Sequence, residues 1–279
     1  MIDSVFISKL WKKGLGTQVC ALSGLYHYDI KKIVFEEPSV EYKNFLILAE
    51  YFNLADIDIT VGTNNPDCFI LNPDDFFKIE TPYITKNLTT EKANYIGIAM
   101  YNDNYIMEKE LQDYPYYKQY TFDRYQQIIR QVKSMGYDII TIDSRDNDLL
   151  TKLRILDNFV VALITYEGGI AHLAHCLNIP TIMIPWRIRH YNYLEEILHL
   201  DSRTYFLSNL DEFFIFDKER FELIINDLKL KKGNNRFVNN QLAYKIKHGN
   251  YFVNKSKITL AFDQTEHEFF SMIRKNNSR

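Results

Sequence analysis

The sequence predicts an α/β fold of two doubly wound units whose parallel sheets face each other across a cleft. Three observations predict it. The chain has 279 residues, too many for one typical domain and enough for two of about 100–150 residues. Hydrophobic residues make up 46% and charged residues 25%, a globular balance that excludes a disordered chain. Between residues 94 and 185, apolar strand-like runs alternate with segments of helical period. Such alternation belongs to a parallel sheet with helices on both faces. The expected division is 1–93, 94–228 and a basic segment, 229–279, packing back on the first unit.

The first unit opens with a short apolar run at 5–10. Gly14 and Gly16 then read as a turn before a helix over 17–26. A buried strand is expected at 32–35. A helix follows at 42–52, with Phe45, Leu48, Ala49 and Phe52 on one face. Short strands are expected at 58–61 and 68–71, and a polar connector at 84–92. The second unit is more regular. A strand over 95–100 leads to a helix over 122–135, which carries Tyr125, Ile128, Ile129 and Val132 on one face and stops at Gly136. Next come a strand from 138, a helix over 148–156, a buried strand over 159–165, a helix over 170–177 and a strand over 181–184 closed by Pro185.

Composition narrows the class. Cys20, Cys68 and Cys176 form no C-x-x-C pair, which fits neither a disulfide framework nor a zinc site and points to a reducing compartment. The N-terminus does not read as a signal peptide. The longest apolar runs, 159–165 and 179–186, fall short of the roughly 20 residues that span a bilayer, so a soluble cytoplasmic protein is expected. The aromatic content of 15% is read mostly as packing. The net charge of −3 conceals two surfaces. Residues 229–279 hold 11 Lys/Arg against 3 Asp/Glu, a net +8, and the rest holds 22 against 33, a net −11.

The most informative stretch runs from Ile164 to Pro185: a buried strand, a glycine turn, a helix and another strand. Gly168 and Gly169 remove side chains where the backbone enters the helix, leaving amides at its N-terminus for a phosphate. Glu167, at the strand's end, can accept from a ribose or sugar hydroxyl. The plain alternative is a tight turn with a capping Glu. The run Glu167-Gly168-Gly169-Ile170-Ala171-His172-Leu173-Ala174 resembles the nucleotide-sugar motif of the heptosyltransferase family, Asp-Ser/Thr-Gly-x-x-His-Leu-Ala. The continuation from Asn178 through Pro180 and Thr181 is also similar, and the segment opening at Lys118 resembles the family's Lys-x-Trp-Pro. The resemblance covers about residues 94–186. It implies a GT-B fold of two Rossmann-like domains, a nucleotide-diphosphate sugar as donor, and no required cofactor. It further implies that Lys118 reaches the donor phosphates while Gly168, Gly169 and His172 line the donor site. The sequence departs from the family at Glu167, Gly168 and Tyr120. It also has Gly14-Leu15-Gly16-Thr17 where the family places an acidic residue.

An inverting sugar transfer needs a base near the acceptor hydroxyl and cations or amides for the leaving diphosphate. Asp103, His27 and Asp29 are the candidate bases. Lys118, Arg187 and Arg189 are the candidate cations, the arginine pair having Glu195 and Glu196 as alternative surface partners. His172 and His175 form H-x-x-H, but no third ligand is placed, so no metal is expected there. Asp56-Ile-Asp58 matches the D-x-D of metal-dependent transferases without a strong strand before it.

In the basic tail, Lys245, Lys247, Lys255 and Lys257 are interleaved with Tyr244, Tyr251 and Phe252, a pattern that suits an anionic acceptor. The expected function is inverting, metal-independent transfer of a sugar from a nucleotide-sugar donor to an anionic acceptor, either a phosphorylated glycan or one of lipopolysaccharide type. Two alternatives stand beside it: a phage-type enzyme modifying a hydroxylated base in DNA, and a non-catalytic nucleotide-sugar-binding protein.

Overall fold

The structure is a computed structural model that describes residues 4–27, 29–64, 68–71, 84–86, 94–99, 122–142, 148–166, 168–184, 203–207 and 210–230. Asp103, Lys118, Glu167, Arg187, Arg189 and the four tail lysines lie outside the described residues.

Two all-parallel sheets organise the chain. The first holds β1 (Ser4–Ile7), β2 (Lys32–Phe35), β3 (Asp58–Val61) and β4 (Phe69–Leu71), in the order β3-β2-β1-β4. β1 is central and pairs Val5 with both Ile33 and Phe69. A central parallel strand is covered on both faces, which is why β1 is apolar without alternation. The sheet's helices are α1 (Leu15–His27) and α2 (Val40–Tyr51). In α1, every residue from Gln18 to Leu25 is buried. One face of a helix cannot supply eight consecutive buried positions, so α1 is enclosed on several sides.

The second sheet has β5 (Tyr95–Ala99), β6 (Asp138–Thr141), β7 (Val160–Tyr166), β8 (Thr181–Ile184) and β9 (Thr204–Phe206), in the order β6-β5-β7-β8-β9. Its helices are α3 (Phe122–Ser134), α4 (Leu149–Phe159), α5 (Gly169–Cys176), α6 (Leu210–Phe214) and α7 (Lys218–Leu230). Asp148 caps α4 by accepting from the Thr151 amide at 2.8 Å, and Asp217 likewise caps α7 through Arg220. Period-two alternation divides the sheet's faces. Ala162 and Ile164 point into a core with Ile128, Phe213 and Phe221, while Leu163 points into the other core.

That other core is shared by the two halves. It joins Val5, Leu22 and Phe45 to Leu153, Leu173 and Leu177. Where the sequence suggests a cleft, the described residues show α1 and α2 packed on α4 and α5. A polar cluster lies at the edge of this contact. The Tyr51 hydroxyl donates to Asp157 Oδ2 at 2.6 Å, and Lys86 Nζ lies 3.0 Å from the same oxygen and 4.2 Å from the Tyr51 ring centroid.

Four helices end in the same way. After α1, α2, α3 and α5 stand Asp29, Asn53, Gly136 and Asn178, with φ of 60°, 55°, 86° and 52°. The amide of the residue after each returns to the helix: Ile30 to Leu25 O, Leu54 to Ala49 O, Tyr137 to Val132 O and Ile179 to Ala174 O. This left-handed ending satisfies terminal carbonyls and buries Ile30, Leu54 and Ile179, with Tyr137 half-buried. Short polar side chains tolerate the conformation, so Asp and Asn serve where Gly is commoner.

Candidate functional site

In an open parallel sheet, ligands collect beyond the carboxyl ends of the strands where strand order reverses. The second sheet reverses between β5 and β7, and the first between β1 and β4. The helix following β7 is α5, and the helix following β1 is α1. Thr165 Oγ1 donates to Ala99 O at 2.9 Å, tying the end of β7 to the end of β5. Gly168 follows as the N-cap residue of α5 and makes no side-chain cap hydrogen bond. The first helical hydrogen bond runs from the His172 amide to Gly168 O at 3.3 Å.

The first turns of α1 and α5 abut. A methyl group placed on Gly169 would lie 2.8 Å from Leu15 Cβ, and one placed on Gly16 would lie 2.5 Å from His172 Cδ2. Further along, Cys20 Sγ approaches His172 Nδ1 at 3.5 Å. Contacts therefore advance together along both helices, which run side by side in the same direction with their N-termini adjacent. Neither first turn contains an acidic residue. Two helix N-termini at one place combine their partial positive charges, an arrangement that favours a phosphate or diphosphate. Two parallel dipoles also repel each other modestly, a cost that an anion at their shared end offsets.

Gly169 thus has a packing reason as well as the amide-exposing one, and Gly16 belongs to the first turn of α1 rather than to the turn before it. His172 is buried between the two helices. His175 is buried behind it, with ring centroids 6.4 Å apart. Burial pushes the His175 imidazole down to about 3, and the neighbouring His172 adds to the shift. Burial raises the Cys176 thiol well above its ordinary range, with Cys20 contributing. His175 and Cys176 are thereby held uncharged.

The loop entering α1 is held by two polar side chains that the pattern reading passed over. Gln18, buried, donates from Nε2 to Lys13 O and accepts from Asn44 Nδ2 at 2.9 Å. Glu36, directly after β2, accepts from the Lys9 amide at 2.8 Å. A glutamine inside an apolar helix is the sequence signal for the first. Nothing comparable marks the second.

Of the sequence candidates, the structure brings together Gly168, Gly169 and His172. It does not bring His27 or Asp29 to them. His27 ends α1, about 18 Å along the axis from Leu15 at 1.5 Å per residue. Asp29 adopts the left-handed turn after α1, and its exposed carboxylate pairs with Lys31 Nζ at 2.6 Å. Both lie where α1 returns to the amino end of β2, which keeps them out of the candidate site. The D-x-D also sits at that edge, since Asp58 is the first residue of β3. Among the described residues, no group of three His, Cys, Asp or Glu is placed to hold a metal. No helix among them is long and apolar enough to cross a membrane.

Fold and site together define an α/β protein with two parallel sheets, consistent with Rossmann-like units, and an anion-suited helix junction. No protein family model matches the chain, and no curated protein does. A solved structure similar to it is the dodecameric iron-containing heptosyltransferase TibC in complex with ADP-D-β-D-heptose. The TM-score is 0.44 and the identity 10%, covering 82% of this chain and 78% of that one. Likeness at this level carries no weight for function, which has to come from the residues.

Proposed function

We propose that the protein is a glycosyltransferase that binds the diphosphate of a nucleotide sugar at the first turn of α5 and transfers the sugar to an anionic acceptor. One observation carries the reading: the glycine-started N-terminus of α5 emerges at the switch point of the second sheet, against the equally acid-free first turn of α1. Helix amides stabilise the negative charge that develops on a leaving diphosphate without needing a metal. Lys118, Arg187 and Arg189 add cations, Glu167 accepts from a sugar or ribose hydroxyl, and Asp103 is the candidate base. The acceptor is a phosphorylated glycan, as the +8 charge of residues 229–279 suggests.

The test uses the full chain, with calorimetric titration of nucleoside diphosphates and nucleotide sugars. Gly168→Asp puts a favourable N-cap residue where the phosphate would sit, so the fold survives while the anion is excluded. Binding to the parent protein and its loss in this variant are expected. Equal affinity in the two proteins would refute the proposal.

A further inference from the structure

A second place in the molecule has the features of a ligand site. At the carboxyl ends of β1, β2 and β3, a cavity of about 470 Å³ is lined by Phe6, Glu36, Gly62, Thr63 and Asn64. Its volume falls within the usual range for small-molecule sites, about 300–1,000 Å³. Phe6 stands on the face of β1 opposite Val5 and Ile7, which point into the shared core, and gives the cavity an aromatic wall. Thr63 and Asn64 follow β3 and supply hydroxyl and amide groups.

Glu36 is the group with chemical direction. One carboxylate oxygen, Oε2, accepts from the Lys9 amide at 2.8 Å, which fixes the side chain's orientation. The other, Oε1, has the Lys9 ammonium at 3.7 Å, beyond hydrogen-bond length, and the side chain keeps 37% of its exposure. The oriented carboxylate, ion-paired to Lys9, keeps lone pairs that can accept from neighbouring hydroxyls.

We propose that the cavity binds a sugar ring through its vicinal hydroxyls, with Glu36 accepting from the diol, Asn64 completing the polar contacts and Phe6 lying against the ring's C–H face. The ring is either the ribose of a nucleoside or a pyranose of a glycan. The site is separate from the first turn of α5 and stands whether or not the proposed transferase activity does.

Binding to the full-length protein is measured by ligand-observed NMR with adenosine, 2′,3′-dideoxyadenosine and methyl β-glucopyranoside. Adenosine binding that is lost with the dideoxy compound supports the proposal and identifies a nucleoside. Glycoside binding without adenosine binding supports it and identifies a glycan. Glu36→Gln, which keeps an acceptor for Lys9 but has only one oxygen, should weaken the bound probe at least tenfold. Asn64→Ala, which leaves the Glu36–Lys9 contact intact, should weaken it at least threefold. Gly168→Asp should leave it unchanged, whatever happens to diphosphate binding. Failure of every probe to bind at 10 mM or below would overturn the proposal. So would equal binding of adenosine and its dideoxy analogue, or unchanged binding in both the Glu36 and Asn64 variants.

Discussion

Replacing Gly16 by alanine sets two effects of known size against each other. Gly16 lies in the first turn of α1, and alanine is favoured over glycine inside a helix by about 0.8–1.0 kcal/mol. The new methyl would stand 2.5 Å from His172 Cδ2 and 2.9 Å from Nε2. Carbon atoms pack at about 3.5–4.0 Å, so the ring must retreat by roughly 1 Å. It is buried between α1 and α5, with Cys20 Sγ at 3.5 Å from Nδ1 and His175 behind. Overpacking of this kind costs about 1–3 kcal/mol, and the helix gain sits at a first-turn position where propensity counts least. The clash should win, leaving a net loss of about 1–2 kcal/mol. At roughly 2–4 °C per kcal/mol for a chain of this size, Gly16→Ala should melt about 2–8 °C below the parent by differential scanning fluorimetry. Gly14→Ala is the control, because a methyl there meets nothing within 4 Å. In the double variant Gly16→Ala/His172→Ala, the alanine at 16 should become neutral or stabilising relative to His172→Ala alone. A Gly16→Ala protein more stable than the parent would show that the two helices do not meet as described.

Gly168→Asp should leave the melting temperature near the parent's, an aspartate N-cap contributing only about a few tenths of a kcal/mol over glycine against a tight contact of 3.2 Å with the Tyr166 ring, while diphosphate binding is lost. Acid should destabilise the protein through His175. The unfolded chain takes up this proton near 6.5 and the folded chain only near 3. The contribution is therefore intact above 6.5 and drains away as pH falls, at up to about 1.4 kcal/mol per unit. His175→Gln should flatten that slope in urea titrations between pH 4 and 6.5, and an unchanged slope would contradict the burial. Asp157→Ala removes the acceptor of the Tyr51 hydroxyl and the partner of Lys86, and should cost about 1–3 kcal/mol in the same titrations. Burial and Glu222 push the Tyr137 phenol up to about 12. Its share of stability is complete below about 10 and fades as pH rises towards 12, an effect that Tyr137→Phe should remove.

Much of the fold was legible because parallel strands announce themselves as short apolar runs. The strands at 32–35, 58–61 and 181–184 and the helix from Phe122 to Ser134 fall where the pattern puts them. The elements after residue 200 did not show. β9 is three residues long and α6 five, too short for either period to repeat, and the spacing of Phe221, Ile225 and Leu228 on α7 was the signal available. The helix ends expected at 26, 52 and 177 fall within one residue of those observed, but the left-handed Asp29, Asn53 and Asn178 that follow are not legible, because a left-handed Asp or Asn looks like any surface residue. Only the apolar residue after it gives it away. The glycines at 168 and 169 were found as a helix start from local sequence. The meeting of Gly16 with His172 joins positions 156 residues apart, and no local period carries that information.

The shared core constrains how this protein can work. Leu153, Leu173 and Leu177 belong to the same buried cluster as Val5, Leu22 and Phe45, so the sheets cannot swing apart on a hinge without exposing that cluster to water. A substrate of the proposed transferase would therefore meet the two sheets as one packed unit and not as two hinged halves.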